Sequence, residues 1–198
     1  MTTLHIVPPD LRRLYHVHEW RNAAGVLKTA CSREWTDIAD ALREFRLYET
    51  EIRQAGGNRS PISKRLDGAF YRRGWSEKKF ATAIVVDRDR FDSPTHKVDC
   101  YKGRVALEVE WNNKDPFFDR DLNNFRLLFD LRAIDVGVII TRGEDLNAIF
   151  KRLRKRMAKS TTHLDSLLPR LNGGAGGGCP VLVFAISAAL FVEGRPPA

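Results

Sequence analysis

Asp99-Cys100-Tyr101-Lys102-Gly103-Arg104-Val105-Ala106-Leu107-Glu108-Val109-Glu110-Trp111-Asn112-Asn113-Lys114 is the most informative stretch of this chain. From Arg104 to Trp111 the residues alternate strictly. Val105, Leu107, Val109 and Trp111 fall on one face, and Arg104, Ala106, Glu108 and Glu110 on the other, the period of a β-strand. Lys102-Gly103 reads as the turn that joins this strand to a preceding one carrying Asp99. Neighbouring strands lie about 4.8 Å apart, so Asp99 can converge on Glu108, while Glu108 and Glu110 stand roughly 6.8 Å apart along their own strand. Three carboxylates on one sheet face repel one another. A hard divalent cation such as Mg²⁺ between them relieves that repulsion and keeps water positions open for substrate phosphates. The same alternation also describes a half-exposed strand whose acids simply point to water. Spacing alone leaves both readings open.

On the N-terminal side, Ser32 can cap a helix from about Arg33 to Arg53, whose apolar residues Trp35, Ile38, Ala39, Leu42, Phe45, Tyr48 and Ile52 recur at spacings of three or four. Ala55-Gly56-Gly57-Asn58 is read as its C-terminal stop. Pro61 suits the first turn of a shorter helix carrying Ile62, Leu66 and Phe70, and Ala83–Val86 is a short β-type run. On the C-terminal side a helix is expected from about Asp119 to Leu131. Next come a nearly continuous apolar strand, Ile134–Thr141, and a basic helix from about Glu144 to Lys159. A strand-like run, Val181–Phe191, follows. These elements suggest an α/β fold with a mixed central sheet flanked by helices. The expected organisation is a single domain over 1–198: mainly helical to residue 80, a sheet core over 81–143, then the basic helix, a glycine loop and a final strand over 144–198.

The composition agrees. The chain has 198 residues, 43% of them hydrophobic and 10% aromatic, enough for one domain with a buried core. Lys and Arg number 33 against 25 Asp and Glu, a net charge of +8 that favours an anionic partner, most commonly nucleic acid. Cys31, Cys100 and Cys179 contain no CxxC pair, which argues against a zinc ribbon or a disulfide scaffold and for a reducing cytoplasm. Met1–Asp10 lacks the apolar run of a signal peptide, and the longest apolar stretch, Pro180–Val192, is shorter than the roughly 20 residues a membrane helix needs. The glycine-rich segment Asn172–Gly178 precedes a strand and fits neither a Walker A loop nor GxGxxG, so it reads as a flexible surface loop able to touch a ligand.

An Asp followed nine positions later by Glu-x-Glu, at the end of an apolar strand, resembles the BamHI/BglII group of type II restriction endonucleases within the PD-(D/E)XK nuclease superfamily. The resemblance runs from His96 to Gly143 and includes Val138-Ile139-Ile140-Thr141-Arg142-Gly143, similar to the strand and loop that follow the active site in that group. The superfamily usually carries Lys at the third active-site position. Glu110 stands there in this chain, matching the Glu or Gln found within the group. The resemblance implies that Asp99 and Glu108 hold Mg²⁺ with the backbone carbonyl of Val109, and that Glu110 is a general base or orients water. Glu77 is a further candidate acid from a preceding helix; alternatively it is a solvated charge beside Lys78 and Lys79.

The resemblance also implies double-stranded DNA as substrate, with Asn112 and Asn113 reaching a groove, where Asn pairs well with adenine. Asn pairs are equally ordinary turn residues. Arg142 and the loop residues Gly176 and Gly177 are further candidate DNA contacts. Lys151, Arg152, Arg154, Lys155, Arg156 and Lys159 either track phosphates or form a solvated helix face. His16 and His18 would share a face of a strand, with polar contacts favoured over metal binding. The leading expectation is a prokaryotic, cytoplasmic, Mg²⁺-dependent homodimer cutting both strands of a short palindrome. The alternatives are a repair or recombination nuclease of the same fold, and a DNA-binding protein without cleavage.

Overall fold

The computed structural model describes residues 2–54, 59–92, 95–158 and 160–197. The chain enters through α1 (Pro9–Leu14) and β1 (Tyr15–Trp20), then α2 (Ala23–Ala30) and α3 (Ser32–Glu44). β2 (Leu47–Tyr48), α4 (Glu49–Arg53) and α5 (Pro61–Tyr71) lead to β3 (Ser76–Lys78) and to a ribbon of β4 (Ala83–Val86) and β5 (Asp89–Asp92). β6 (Val98–Lys102) and β7 (Val105–Val109) form a hairpin, followed by α6 (Pro116–Asp130), β8 (Val136–Arg142), α7 (Leu146–Arg152), α8 (Leu164–Asn172), β9 (Val181–Ile186) and β10 (Phe191–Val192).

Six strands make the central sheet in the order β1-β9-β8-β7-β6-β3. β7, β8 and β9 run parallel, while β1 and β6 pair antiparallel to their neighbours and β3 antiparallel to β6. The mixed sheet follows from the sequence of its middle strands. Val136–Arg142 and Val181–Ile186 are buried along their whole length, as parallel strands covered on both sides must be. One covering layer packs Trp35, Ile38, Leu42, Ile62, Leu66 and Phe70 against Leu107, Val109 and Trp111. The other packs Phe118, Leu122, Phe125, Leu167 and Leu171 against Ala106, Ile139 and Val183.

Two glycines set the geometry that matters for the site. Gly103 takes a positive φ of 57° in the two-residue turn between β6 and β7, a conformation that costs glycine nothing. At Gly137, a β-carbon would come within 2.3 Å of the Phe125 ring, so its absence lets α6 lie directly on β8.

Several expected boundaries shift. The helix expected over Arg33–Arg53 ends at Glu44, because Phe45 turns extended and Leu47-Tyr48 pair in parallel with β10 before a short helix resumes. Arg65 fixes that break by bonding Glu51 and the carbonyl of Arg46, with its guanidinium over Phe45. The expected stop at Ala55–Asn58 lies outside the described residues. The basic helix ends at Arg152 rather than near Lys159, with Arg154 at a φ of 54°; Lys159 itself is outside the described residues. Ala83–Val86 is a strand, but it pairs only with β5 in a separate exposed ribbon and does not belong to the central sheet. Glu77 lies on the edge strand β3, not on a helix. α8 was not anticipated; it carries an internal proline, Pro169, which argues against a helix when read from sequence.

Candidate active site

The β6–β7 hairpin places Asp99 beside Glu108, since Cys100 pairs with Leu107 and the antiparallel register continues one step further. The backbone N–H of Asp99 donates to Glu108 Oε2 at 3.2 Å, and that of Val109 donates to Asp99 Oδ2 at 3.4 Å. On its other edge β6 slips by one residue against β3, where Ser76 faces Tyr101 but Lys78 faces Val98. Such a bulge re-aims side chains, a device frequent next to active sites.

Glu108 and Glu110 do not face water. Each is 1% exposed, because α6 covers the face of β7 that they occupy. Glu108 Oε1 is buried without a hydrogen-bond partner. Glu110 is held at both oxygens: Asn113 Nδ2 donates to Oε2 at 2.7 Å, and Arg120 Nη2 donates to Oε1 at 3.3 Å. Arg120 in turn donates to Asp121 Oδ1 from Nε at 2.9 Å and from Nη2 at 2.8 Å.

Arg120 and Asp121 were missed from sequence, although a signal existed. Phe118, Asp121, Phe125 and Leu128 recur at three- and four-residue spacing, so Asp121 stands within the apolar stripe of α6 and had to be buried with it. Asp67 was also missed. It lies on the buried face of α5, where Arg59 Nε donates to Oδ2 at 2.9 Å and the Cys100 thiol approaches Oδ1 at 3.8 Å.

Burial dominates the electrostatics. It pushes Glu108 well above the usual carboxylate range, with the nearby charges of Asp121 and Asp99 adding to the effect. Burial followed by Asp121 raises Glu110 to about 9. Asp121 rises to about 6 through burial, against the opposing pull of Arg120. Asp67 also rises to about 6, through burial and then the charge of Asp99.

An open cleft of about 340 Å³ brings Asp99, Val109, Asn112 and Asn113 together with Arg59, Ser60 and Asp67. Glu77 reaches the same cleft but bonds Lys97 at 2.7 Å. Ser60 and Asn112 are shared with a neighbouring depression lined by Phe150, Lys155 and Met157, which continues into the basic segment around Arg154 and Arg156. The basic residues thus border the acidic cleft.

Other candidates fall elsewhere. Arg142 is 2% exposed and braces the loop next door: Nη2 donates to Thr161 Oγ1 at 2.7 Å, and the guanidinium lies over Phe150. The neighbouring Thr162 pairs with Asn113 through backbone and hydroxyl. Arg142 therefore supports the Asn113 loop from beneath instead of reaching into a groove. Gly176 and Gly177 lie just before β9, level with the start of β8 and so at the opposite end of the parallel strands from the acids. Gly176 packs on Leu122 and Leu171, and the Gly177 carbonyl accepts from Trp20 Nε1, so the structure does not bring this loop to the cleft. His16 and His18 share a face of β1 but separate in their contacts, His16 to Asp145 and His18 to Asn172.

The family model for restriction endonucleases BglII/BglIII matches residues 15–186, most of the chain. The chain belongs to that family. It is accordingly a site-specific deoxyribonuclease acting on DNA, built on the restriction-endonuclease architecture expected from Asp99 and Glu-x-Glu. A comparison with curated proteins gives no match. Among the described residues of this endonuclease, no helix is long and apolar enough to cross a membrane.

The donor chemistry of the site fits a hard divalent cation. Its candidate donor atoms are all oxygens, Asp99 and Glu108 are adjacent, and Glu108 presents a buried oxygen that no protein donor satisfies. Among the described residues no three His, Cys, Asp or Glu side chains could enclose a metal unaided. Two carboxylates and a main-chain carbonyl with water are therefore the set to consider.

Proposed function

We propose that this endonuclease is a Mg²⁺-dependent homodimer that cuts both strands of a short palindromic DNA site. The observation that carries the reading is the Asp99–Glu108 pair, set in register by the hairpin with one Glu108 oxygen buried and unpartnered. Asp99, Glu108 and the Val109 carbonyl would hold the ion. When bound, it supplies a water of lowered pKa and offsets the charge that builds on the phosphate. Glu110, clamped by Asn113 and Arg120, accepts the proton of the attacking water. Asn112 and Asn113 both line the cleft; Asn112 is exposed and extends the site toward the DNA groove, while Asn113 has its amide on Glu110 and borders that approach. A twofold dimer gives each strand of a palindrome an equivalent active site.

Plasmid digestion with Mg²⁺ followed by sequencing of the ends tests this reading. Discrete fragments with symmetric ends, from a protein that runs as a dimer in size-exclusion chromatography, are expected. Nicks that follow DNA structure instead of sequence would point to a repair-type nuclease. Asp99→Ala and Glu108→Ala should each abolish cleavage while metal-free DNA binding persists. Wild-type cleavage by either variant removes the assigned site.

A further inference from the structure

We infer that Arg120 is a positioning residue for catalysis, holding the Glu110 carboxylate in its reactive orientation through a guanidinium anchored on Asp121. The inference rests on the proposed role of Glu110. Among the described residues, Arg120 makes the one ion pair to any of Asp99, Glu108 and Glu110. The arrangement is a relay with a fixed end. Asp121 is fully buried and grips Nε and Nη2 with one oxygen, the Phe117 ring lies 4.1 Å from the guanidinium carbon, and Nη2 extends to Glu110 Oε1. Asn113 takes the other oxygen of Glu110. A carboxylate held at both oxygens loses rotation about its terminal torsion, a freedom that leaves such torsions broad when unconstrained.

Two further features favour positioning over simple neutralisation. Arg120 and Asp121 are adjacent on α6, so a surface salt bridge would need no reach toward the sheet; here the fork spans two carboxylates on different elements. Planar guanidinium geometry can do that where a lysine ammonium acts only as a point charge. The Arg120 side chain is also 30% exposed, so it is not sequestered in the core merely to balance charge.

The test is a double-mutant cycle read by single-turnover cleavage. Arg120→Ala should lower the cleavage rate on the order of 10²-fold, the cost of a misplaced reacting group, while the Kd for DNA in Ca²⁺ stays within a few-fold. In a Glu110→Ala background the same substitution should cost nothing further, since no carboxylate remains to be positioned. Arg120→Lys should recover only part of the rate, and guanidinium ion added to Arg120→Ala should restore cleavage. Asp121→Asn combined with Arg120→Ala avoids an uncompensated buried charge and should show the same rate loss if folding of the single variant is impaired. A wild-type cleavage rate, a loss confined to Kd, or full additivity with Glu110→Ala overturns the inference. If Glu110→Ala itself cleaves at the wild-type rate, the role of Glu110 fails first, and the two failures are thereby told apart.

Discussion

Glu110 is buried, holds its proton well above the normal range, and yet is assigned the removal of a proton from water. The two are compatible if the free site keeps its acids neutral and gives up their protons as a divalent cation enters. The sign for stability follows. Glu110 titrates at about 9 in the folded chain, with Asp121 and Asp67 at about 6, and Glu108 moves the same way. The unfolded chain releases these protons near the ordinary carboxylate range. The stability that these four acids contribute is therefore fullest below about 4.5 and declines as pH rises toward 9. In a chelating buffer, melting temperature should fall across that window, and Glu110→Gln, which mimics the neutral acid, should flatten the fall. The same variant should slow cleavage by 10²–10⁴-fold, the usual cost of losing a general base. Melting temperatures of wild type and Glu110→Gln that run parallel from pH 5 to 9 would contradict the buried, protonated state of Glu110.

At the scale of elements, the site is a contact between the β6–β7 hairpin and α6, and Gly137 on the adjacent β8 lets α6 lie close against the sheet. A β-carbon there meets the Phe125 ring at 2.3 Å inside a fully buried layer, so neither partner can give way easily. Gly137→Ala should cost about 1–3 kcal/mol through overpacking. It should also slow cleavage, because α6 carries Arg120 and Asp121. Gly176→Ala is the control: its new β-carbon finds ordinary contacts at 3.6–3.8 Å, so thermal stability and DNA binding should both stay near wild type. The hairpin half of the site was legible in outline, since alternation and Gly103 announce a hairpin. The turn is Gly103-Arg104, however, one residue later than the expected Lys102-Gly103, and that shift moves the partner of Asp99 from Ala106 to Glu108. The helical half was not legible as chemistry. Asp121 sat visibly in an apolar stripe, but only the packing of α6 across β7 says that it meets Glu110. The glycine loop misled for the converse reason. Glycine signals backbone freedom without saying what exploits it, and here it serves the tight passage from α8 to β9.

For the whole molecule, the net charge of +8 matters only where it is arrayed. Many of its cations are already committed: Arg104 to Asp135, Arg59 to Asp67, Arg170 to Asp115 and Asp119. The segment after α7 differs. Arg152 meets Glu193 and Lys155 Nζ donates to the carbonyl of Gln54, but Arg154 and Arg156 have no ion pair among the described residues. They flank the depression that runs into the acidic cleft through Lys155, Asn112 and Ser60, a path suited to a DNA backbone approaching the site. Each phosphate contact releases counterions and contributes about 0.9 to the slope of log K against log salt. Arg154→Ala with Arg156→Ala should therefore make that slope shallower by roughly 1.8 per protomer, equally for specific and unrelated DNA. The single-turnover rate at saturating DNA should be untouched, because neither residue reaches the acids. Filter binding over a salt series reads the slope directly. An unchanged slope would return this segment to a solvated surface, and a changed cleavage rate would place it inside the chemistry instead of along the approach.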